Sequence, residues 1–354
     1  MPASFISPQE VRRANLIEVL LEAASDDGIQ IHGPPEDAAQ HWSEERIRNY
    51  FKDQRNRTCA NVDASHEPRR AADINSTTRF LPPSDLDFQS WIPGLKRSQT
   101  MNSSPKFRVL CFHNAGSAED VYTSEGTGTR RSPSPLLDWC RQVGAECLAV
   151  QLPGRGMRTK EPILPSTQEA ARQLLPILAS RLQDTPYIVV AHSMGAWTAY
   201  EFLLHARANG LPMPVKAFLS AMPHPDMPFE QRPWRQQARL DQAQFQEECK
   251  GWDVSSIVFS PALWPTYQAI MRADFNLFDE YEHTPLGERF AFPISTFHGT
   301  RDRRVTRAMV EGWQRFTTGP FSCAAIEGTH LWPLDKTAKT TWLQAIVAQF
   351  SGFS

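Results

Sequence analysis

An apolar run that stops at a small-residue turn containing serine constrains this chain more than any other feature. Residues 187–195 read Tyr-Ile-Val-Val-Ala-His-Ser-Met-Gly, and a helix-like stretch, residues 196–206, follows directly. In a strand, tight turn and helix of this kind the central serine, Ser193, is held at a strained backbone angle with its hydroxyl above a sheet. The positions two before and two after it must be small. Gly195 meets that requirement, and Ala191 meets it with one extra methyl group.

Two later strand-then-loop units supply candidate partners for Ser193. Asp302 follows the strand-like residues 292–298, and His330 follows the strand-like residues 321–326. The chain order serine, aspartate, histidine is the order found in α/β-hydrolases. We therefore expect His330 to take the serine proton as general base and Asp302 to orient the imidazole and stabilise its charged form.

Each of these two residues could instead have a structural role without any part in catalysis. Asp302 is flanked by three arginines within two positions, which is the setting of an ordinary surface ion pair. His330 could simply fill a loop. A competing acid is Asp226, which follows the strand-like residues 215–220 at the other position from which this architecture can supply the carboxylate. The sequence leaves the choice between Asp302 and Asp226 open.

Six short apolar runs alternate with helix-like segments along the chain. The runs begin at Phe107, Cys147, Tyr187, Val215, Phe292 and Phe321. Strands that alternate with helices predict the α/β class, with a mainly parallel sheet. Loops at the carboxyl ends of such strands carry the chemistry of the fold.

Four further stretches carry a resemblance to a known family. They are residues 111–117 (Cys-Phe-His-Asn-Ala-Gly-Ser), 151–158 (Gln-Leu-Pro-Gly-Arg-Gly-Met-Arg), 272–275 (Arg-Ala-Asp-Phe) and 327–331 (Glu-Gly-Thr-His-Leu). With the serine pentad they make residues 107–354 resemble the type II thioesterases that serve polyketide, nonribosomal peptide and fatty acid synthases. The resemblance implies an α/β-hydrolase that hydrolyses acyl thioesters from the phosphopantetheine of an acyl carrier protein or of coenzyme A.

The chain departs from the usual pattern of this family at four positions in those stretches. They are His113 and Asn114, where proline and histidine are typical, Gly156, where glutamate is typical, and Thr329, where glycine is typical. The first two lie beside the oxyanion hole that the family implies. We still expect the backbone amides of Ala115 and Met194 to form it, because a main-chain donor survives a side-chain change.

The alternation of strands and helices breaks between residues 226 and 282, where the sequence is rich in Gln, Trp, Phe and Met. In the family that the chain resembles, such an insert is a helical lid. Its apolar side chains would either line an acyl channel over Ser193 or pack the lid onto the domain, and we expect both. We expect residues 272–275 to anchor the lid, with no catalytic role for Asp274.

Composition argues against several classes of function. A formal net charge of −2 predicts no general affinity for nucleic acid. No apolar run is long enough to cross a bilayer, and no secretory signal is evident, so we expect a cytoplasmic protein. The six cysteines lack metal-binding spacing and are predicted to be reduced core residues. We expect neither a metal site nor a bound cofactor.

A small all-α module is predicted before the hydrolase, over residues 8–57, and a linker over residues 58–106, with one or two docking points at residues 80–83 and 88–93. Ser43 is the predicted N-cap of its last helix. That helix is similar to a homeodomain recognition helix at Ile47, Asn49, Phe51 and Arg55, and departs from it at Tyr50 and Asp53. An ionised Asp53 cannot donate a hydrogen bond to adenine, which argues against DNA. The basic helix face is either solvated or binds an acidic protein such as a carrier protein.

Two alternative functions stay open from the sequence. A general carboxylesterase or acyltransferase would share the same three side chains and would differ in its substrate or acceptor. A non-enzymatic adaptor, with N-terminal helices that bind protein or nucleic acid, would not need them.

Overall fold

The chain folds as two compact units, residues Met1–Thr77 and Thr78–Ser354. A computed structural model describes residues 17, 34–35, 38–43, 46–47, 49–51, 80–127 and 131–350. Within these ranges no helix is both long and apolar enough to cross a membrane.

The second unit is built on a six-stranded sheet in which every pair of neighbours is parallel. Its strands are β1 (Phe107–Phe112), β2 (Ala145–Ala149), β3 (Tyr187–His192), β4 (Lys216–Ser220), β5 (Ile294–Gly299) and β6 (Phe321–Ile326). The order across the sheet is β2-β1-β3-β4-β5-β6. The predicted α/β class with a mainly parallel sheet is confirmed.

Helices connect the strands and cover both faces of the sheet. The α-helices are α1 (Ala38–His41), α2 (Asp85–Trp91), α3 (Asp120–Thr123), α4 (Pro135–Val143), α5 (Thr167–Leu182), α6 (Met194–Ala208), α7 (Gln242–Gly251), α8 (Trp264–Asp279), α9 (Arg307–Glu311) and α10 (Lys336–Val347). Short 3-10 helices lie at Gly156–Arg158, Phe229–Gln231, Gln237–Arg239, Ser256–Phe259, Gly312–Phe316, Trp332–Leu334 and Ala348–Phe350. Some of the α-helices begin at a side-chain cap; Ser134 caps α4 and Asp241 caps α7 in this way.

The two faces of the sheet support separate layers of the hydrophobic core. Because side chains alternate along a strand, Val109 and Cys111 of β1 face one layer while Leu110 and Phe112 face the other. The first layer is closed by α4 and α10, and the second by α2, α5 and α6. Strands covered on both sides are buried along their whole length, as β1 and β3 are, and most of their residues are apolar.

The segment 80–106 is docked on the second unit at one of the points that the sequence marks within the linker. It contains α2, whose Phe88 and Trp91 are buried in the core of the second unit. The guanidinium of Arg158 lies 4.0 Å from the centre of the Trp91 ring, and that of Arg181 lies 4.0 Å from the centre of the Phe88 ring. The few apolar residues of this polar stretch are enough to dock it, so the folded unit begins before β1.

The first unit is described only in part. Residues 46–47 and 49–51 are helical, and the amide of Arg46 donates to the Ser43 hydroxyl at 3.2 Å, as expected of an N-cap. Ile47 and Phe51 are buried. Asp53 and Arg55, on which the homeodomain comparison depends, lie outside the described residues.

Candidate active site

Ser193 occupies the turn between β3 and α6 with φ 54° and ψ −131°, a conformation that L-residues rarely adopt. The turn is fixed by close packing, because a Cβ atom added to Gly195 would lie 2.5 Å from the carbonyl oxygen of Phe112 and 2.7 Å from that of His113. The elbow therefore requires glycine at position 195, where α6 meets the end of β1. Ala191 lies inside β3 and is fully buried, so its extra methyl group is accommodated.

The structure brings the three side chains singled out in the sequence into one hydrogen-bonded chain. His330 Nε2 lies 2.8 Å from the Ser193 hydroxyl oxygen, and His330 Nδ1 lies 2.7 Å from Asp302 Oδ2. Asp302 follows β5 and His330 follows β6, so both loops leave the same edge of the sheet. A neutral imidazole that donates from Nδ1 to the carboxylate presents an unprotonated Nε2 to the serine proton.

Asp302 is held as a carboxylate, although its side chain is fully buried. Its other oxygen, Oδ1, accepts from the amides of Arg304 and Val305, each at 2.9 Å. Burial alone would raise the pKa of Asp302, but His330 and these two amides together lower it below the ordinary value. The flanking arginines have other partners, because Arg303 pairs with Asp253. Asp302 is thus not the exposed ion pair that its neighbours suggest.

Asp226, the competing acid, has different partners. Its Oδ1 lies 2.7 Å from a guanidinium nitrogen of Arg315 and 2.5 Å from Nδ1 of His224. The side chain is 36% exposed, and it makes no contact with His330 in the part of the chain that the structure describes. The geometry therefore favours Asp302 as the partner of His330.

The two backbone amides expected to form an oxyanion hole lie on either side of the elbow. Met194 is the first residue of α6, so its N–H has no partner within the helix. Ala115 follows β1, which pairs with β3 such that Phe112 is opposite Ala191. The Ala115 loop is braced by the Asn114 side chain, whose Nδ2 donates to the Ser117 hydroxyl at 2.9 Å.

The backbone of His330 is fixed by two residues that sequence reasoning missed. His192 Nε2 lies 2.8 Å from the His330 carbonyl oxygen and must donate to it, while Asp253 Oδ2 accepts the His330 amide at 3.0 Å. Burial, followed by the charge of His330, lowers the pKa of His192 to about 3, so it stays neutral. The position of His192 next to Ser193 could have pointed to its role, whereas no sequence motif marks Asp253.

The segment between β4 and β5 covers this site. We call residues 226–282 the helical insert; it includes α7 and α8. Phe245, Trp252 and Phe275 of the insert are buried in the core, and the Trp252 ring lies edge-on to the His330 imidazole at 4.6 Å between centres. Ser193 itself is only 5% exposed.

A cavity of about 670 Å³ lies between the insert and the Ala115 loop. Its apolar lining includes Ala115, Val254, Val258, Tyr267, Met271 and Leu331. Leu331 adjoins His330, and Ala115 belongs to the loop beside the elbow, so the cavity borders the site. The apolar residues of the insert are therefore divided between core packing and the wall of a cavity.

Metal-ligand geometry is not found near these residues. Among the residues that the structure describes, no group of three or more His, Cys, Asp and Glu side chains could hold a metal ion. The five described cysteines are free thiols.

Comparisons with known proteins agree with this geometry. The chain is 27% identical over 237 residues to the gramicidin S biosynthesis protein GrsT of Aneurinibacillus migulanus, which covers 65% of this chain and 84% of that protein. It is 24% identical over 240 residues to the medium-chain S-acyl fatty acid synthase thioesterase of Homo sapiens, which covers 66% of this chain and 83% of that protein. The fold is similar to that of RedJ, a thioesterase from the prodiginine biosynthetic pathway in Streptomyces coelicolor, with a TM-score of 0.58 and 24% identity over 70% of this chain and 92% of that chain.

The family expected from the sequence motifs is confirmed. The family description "Thioesterase domain" matches residues 107–349, which span the sheet, the elbow, the helical insert and the loops of Asp302 and His330. The chain therefore belongs to the thioesterase domain family of thioester hydrolases, on an α/β-hydrolase fold.

Proposed function

We propose that this protein is a serine thioesterase that hydrolyses acyl groups from the phosphopantetheine thiol of an acyl carrier protein or of coenzyme A. Ser193 is the nucleophile, His330 the general base and acid, and Asp302 the residue that orients the imidazole. The single observation that carries the proposal is the chain of hydrogen bonds from Asp302 through His330 to Ser193, at 2.7 and 2.8 Å, in a strained elbow.

The first half-reaction forms an acyl-serine. His330 Nε2 takes the hydroxyl proton as Ser193 Oγ attacks the thioester carbonyl, and Asp302 stabilises the imidazolium. The negative charge on the carbonyl oxygen is met by the amides of Met194 and Ala115. Collapse of the tetrahedral intermediate breaks the carbon–sulfur bond, and the thiol leaves with the proton from His330.

The second half-reaction releases the acid. A water molecule gives its proton to His330 as its oxygen attacks the acyl carbonyl and forms a second tetrahedral intermediate. As this intermediate collapses, the bond between the acyl carbon and Ser193 Oγ breaks, His330 returns the proton to Oγ, and the free acid leaves. No step requires a group other than the substrate, water and these side chains. The cavity has charged residues such as Asp120 and Lys336 in its lining, but its apolar part beside Ala115 and Met271 has the chemistry to hold the acyl part of the substrate.

The proposal also covers the biosynthetic pathway in which the protein acts. The relatives are named for gramicidin S biosynthesis and for a fatty acid synthase thioesterase. By analogy, we propose that this protein acts as a type II thioesterase on carrier-bound acyl groups of a peptide, polyketide or fatty acid synthase, in the cytoplasm. An acidic carrier protein would suit the basic residues of the N-terminal helix, of which Arg46 is described and exposed.

The test is thiol release from a panel of acyl-pantetheine and carrier-bound thioesters, with oxygen esters and an amine or alcohol acceptor assayed in parallel. Ser193→Ala should abolish thiol release. Ser220→Ala is the matched control, because Ser220 is a buried serine at the end of the neighbouring strand β4, its hydroxyl has no hydrogen-bond partner among the described residues, and its carbonyl, which accepts the Ser193 amide, is kept. Preference for oxygen esters, or transfer to the acceptor, would instead establish an esterase or acyltransferase. No turnover of any substrate by the intact chain would favour the adaptor.

A further inference from the structure

The helical insert contacts the active site through two carboxylates, and each accepts a backbone amide from a different catalytic loop. Asp274 of α8 accepts the amide of Gly116, next to Ala115, at 2.7 Å. Asp253, just after α7, accepts the amide of His330 at 3.0 Å. The two contacts lie on opposite sides of the elbow, since one loop follows β1 and the other follows β6.

Asp274 is built into a buried ion pair. Its side chain has no exposed surface, and Arg155 Nη1 donates to its Oδ2 at 2.8 Å. The same guanidinium nitrogen donates to the carbonyl oxygen of Ser117 at 2.8 Å. Arg155 and Asp274 therefore hold the Ala115 loop at two points, one from each side chain. A buried charge that is fully paired fixes geometry more tightly than an apolar contact of equal area does.

Asp253 links the base loop to the acid loop. One carboxylate oxygen accepts the His330 amide, and the other accepts from Arg303 Nε at 2.8 Å. Arg303 directly follows Asp302, so this one carboxylate ties the backbone of His330 to the loop of its acid partner. Asp253 has a φ of 62°, a left-handed conformation that few non-glycine residues adopt. Trp252, the residue before it, packs against the His330 ring.

We propose that Asp253 and Asp274 are positioning residues through which docking of the helical insert completes the catalytic geometry. This inference rests on the proposed roles of His330 and Ala115. The insert then acts as more than a cover over the acyl cavity, because it sets the imidazole through Asp253 and the oxyanion donor through Asp274. Undocking the insert would release both loops together, so the site is competent for catalysis only while the insert is seated.

The test compares substitutions that keep the backbone of residue 253 unstrained. Glycine and asparagine both tolerate a φ of 62°. Asp253→Gly removes both hydrogen bonds, whereas Asp253→Asn keeps an oxygen that can accept the His330 amide. Glu247→Ala is the matched control, because Glu247 lies on α7 and its exposed side chain pairs with the Lys250 side chain.

Two readouts separate positioning from mere anchoring. For Asp253→Gly we expect kcat to fall about 10²-fold with KM within about threefold, since a small misplacement of a catalytic group costs that much. Asp253→Asn should recover about tenfold of that loss. Hydrogen exchange of the 327–334 segment, measured without substrate, should be faster in Asp253→Gly and unchanged in Glu247→Ala. Asp274→Asn, which weakens the pairing with Arg155, should likewise lower kcat more than it raises KM.

The outcomes separate this inference from the proposed function. Unchanged exchange and unchanged kcat in Asp253→Gly would overturn the inference while thioesterase activity stands. A rise in KM alone would also overturn it, because the insert would then only bind substrate. If the intact chain showed no thioesterase activity, exchange of the 327–334 segment would still decide whether Asp253 holds the His330 loop.

Discussion

Gly195→Ala tests the elbow most severely, because the added methyl group meets backbone rather than side chains. The new Cβ atom would lie 2.5 Å from the Phe112 oxygen and 2.7 Å from the His113 oxygen. Ordinary contact requires a separation about 1 Å larger, so α6 and β1 must move apart by a large part of that distance. Both elements are held in the core, and neither clash can be relieved by rotating a side chain.

The size of the effect follows from this overlap. Overpacking between rigid elements costs about 3 kcal/mol, at the upper end of its usual range. For a domain of this size that lowers Tm by roughly 6–12 °C. The shift also moves the Met194 amide and the Ser193 hydroxyl relative to the His113–Ala115 loop, so kcat should fall at least about 10²-fold.

Thermal unfolding and thiol release measure both effects. Gly210→Ala is the control, since Gly210 has a φ of +73° and no atom within 4 Å of an added Cβ. It should cost only about 1 kcal/mol, from the left-handed backbone, and leave kcat unchanged. A Gly195→Ala protein with the stability of Gly210→Ala and full activity would refute the close packing of the elbow.

Three further predictions concern the acid, the insert and the boundary of the domain. Asp226→Ala should leave kcat within about twofold, whereas Asp302→Ala should lower it at least about 10³-fold; the reverse result in thiol release would make Asp226 the acid. Burial raises the pKa of Asp279 to about 7. The folded protein therefore keeps a proton on this carboxyl group at pH values at which the unfolded chain has lost it, and stability falls as pH rises from about 4 to 7. Asp279→Asn keeps an acceptor for the Gln237 amide. It should raise stability by at most about 4 kcal/mol at pH 8 and by much less at pH 4. Equal effects on urea unfolding at both pH values would contradict this. Trp91→Ala should destabilise the second unit by about 3 kcal/mol in urea unfolding, while a true linker would show no change.

Local sequence patterns predicted most of the sheet and the positions of the candidate catalytic residues. β1 and β6 have the predicted bounds, and the other strands differ by a few residues at their ends. Patterns succeed here because each strand is a short apolar run closed by a turn, and because the loops after β3, β5 and β6 share one edge of the sheet. The strained turn at Ser193 was predictable for the same reason.

Contacts between distant segments were not predictable. The sequence marks Phe88 and Trp91 as docking residues of the linker, but it does not mark their partners, the guanidinium groups of Arg181 and Arg158. The hydrogen bond from His330 to Asp253 joins residues 77 positions apart, and no spacing or motif marks the carboxylate. The sequence also could not tell which of the two loops, that of Asp302 or that of Asp226, reaches His330, because this is a property of the folded sheet.

The most direct test of the central claim is to identify the covalent intermediate. The protein is mixed with a limiting amount of an acyl-pantetheine thioester, quenched in acid within milliseconds to seconds, and digested for mass spectrometry. The account predicts the acyl mass on the peptide that contains Ser193, a burst of free thiol that matches it, and loss of both in Ser193→Ala. Thiol release at the same rate in Ser193→Ala, or an acyl group on another residue, would contradict it.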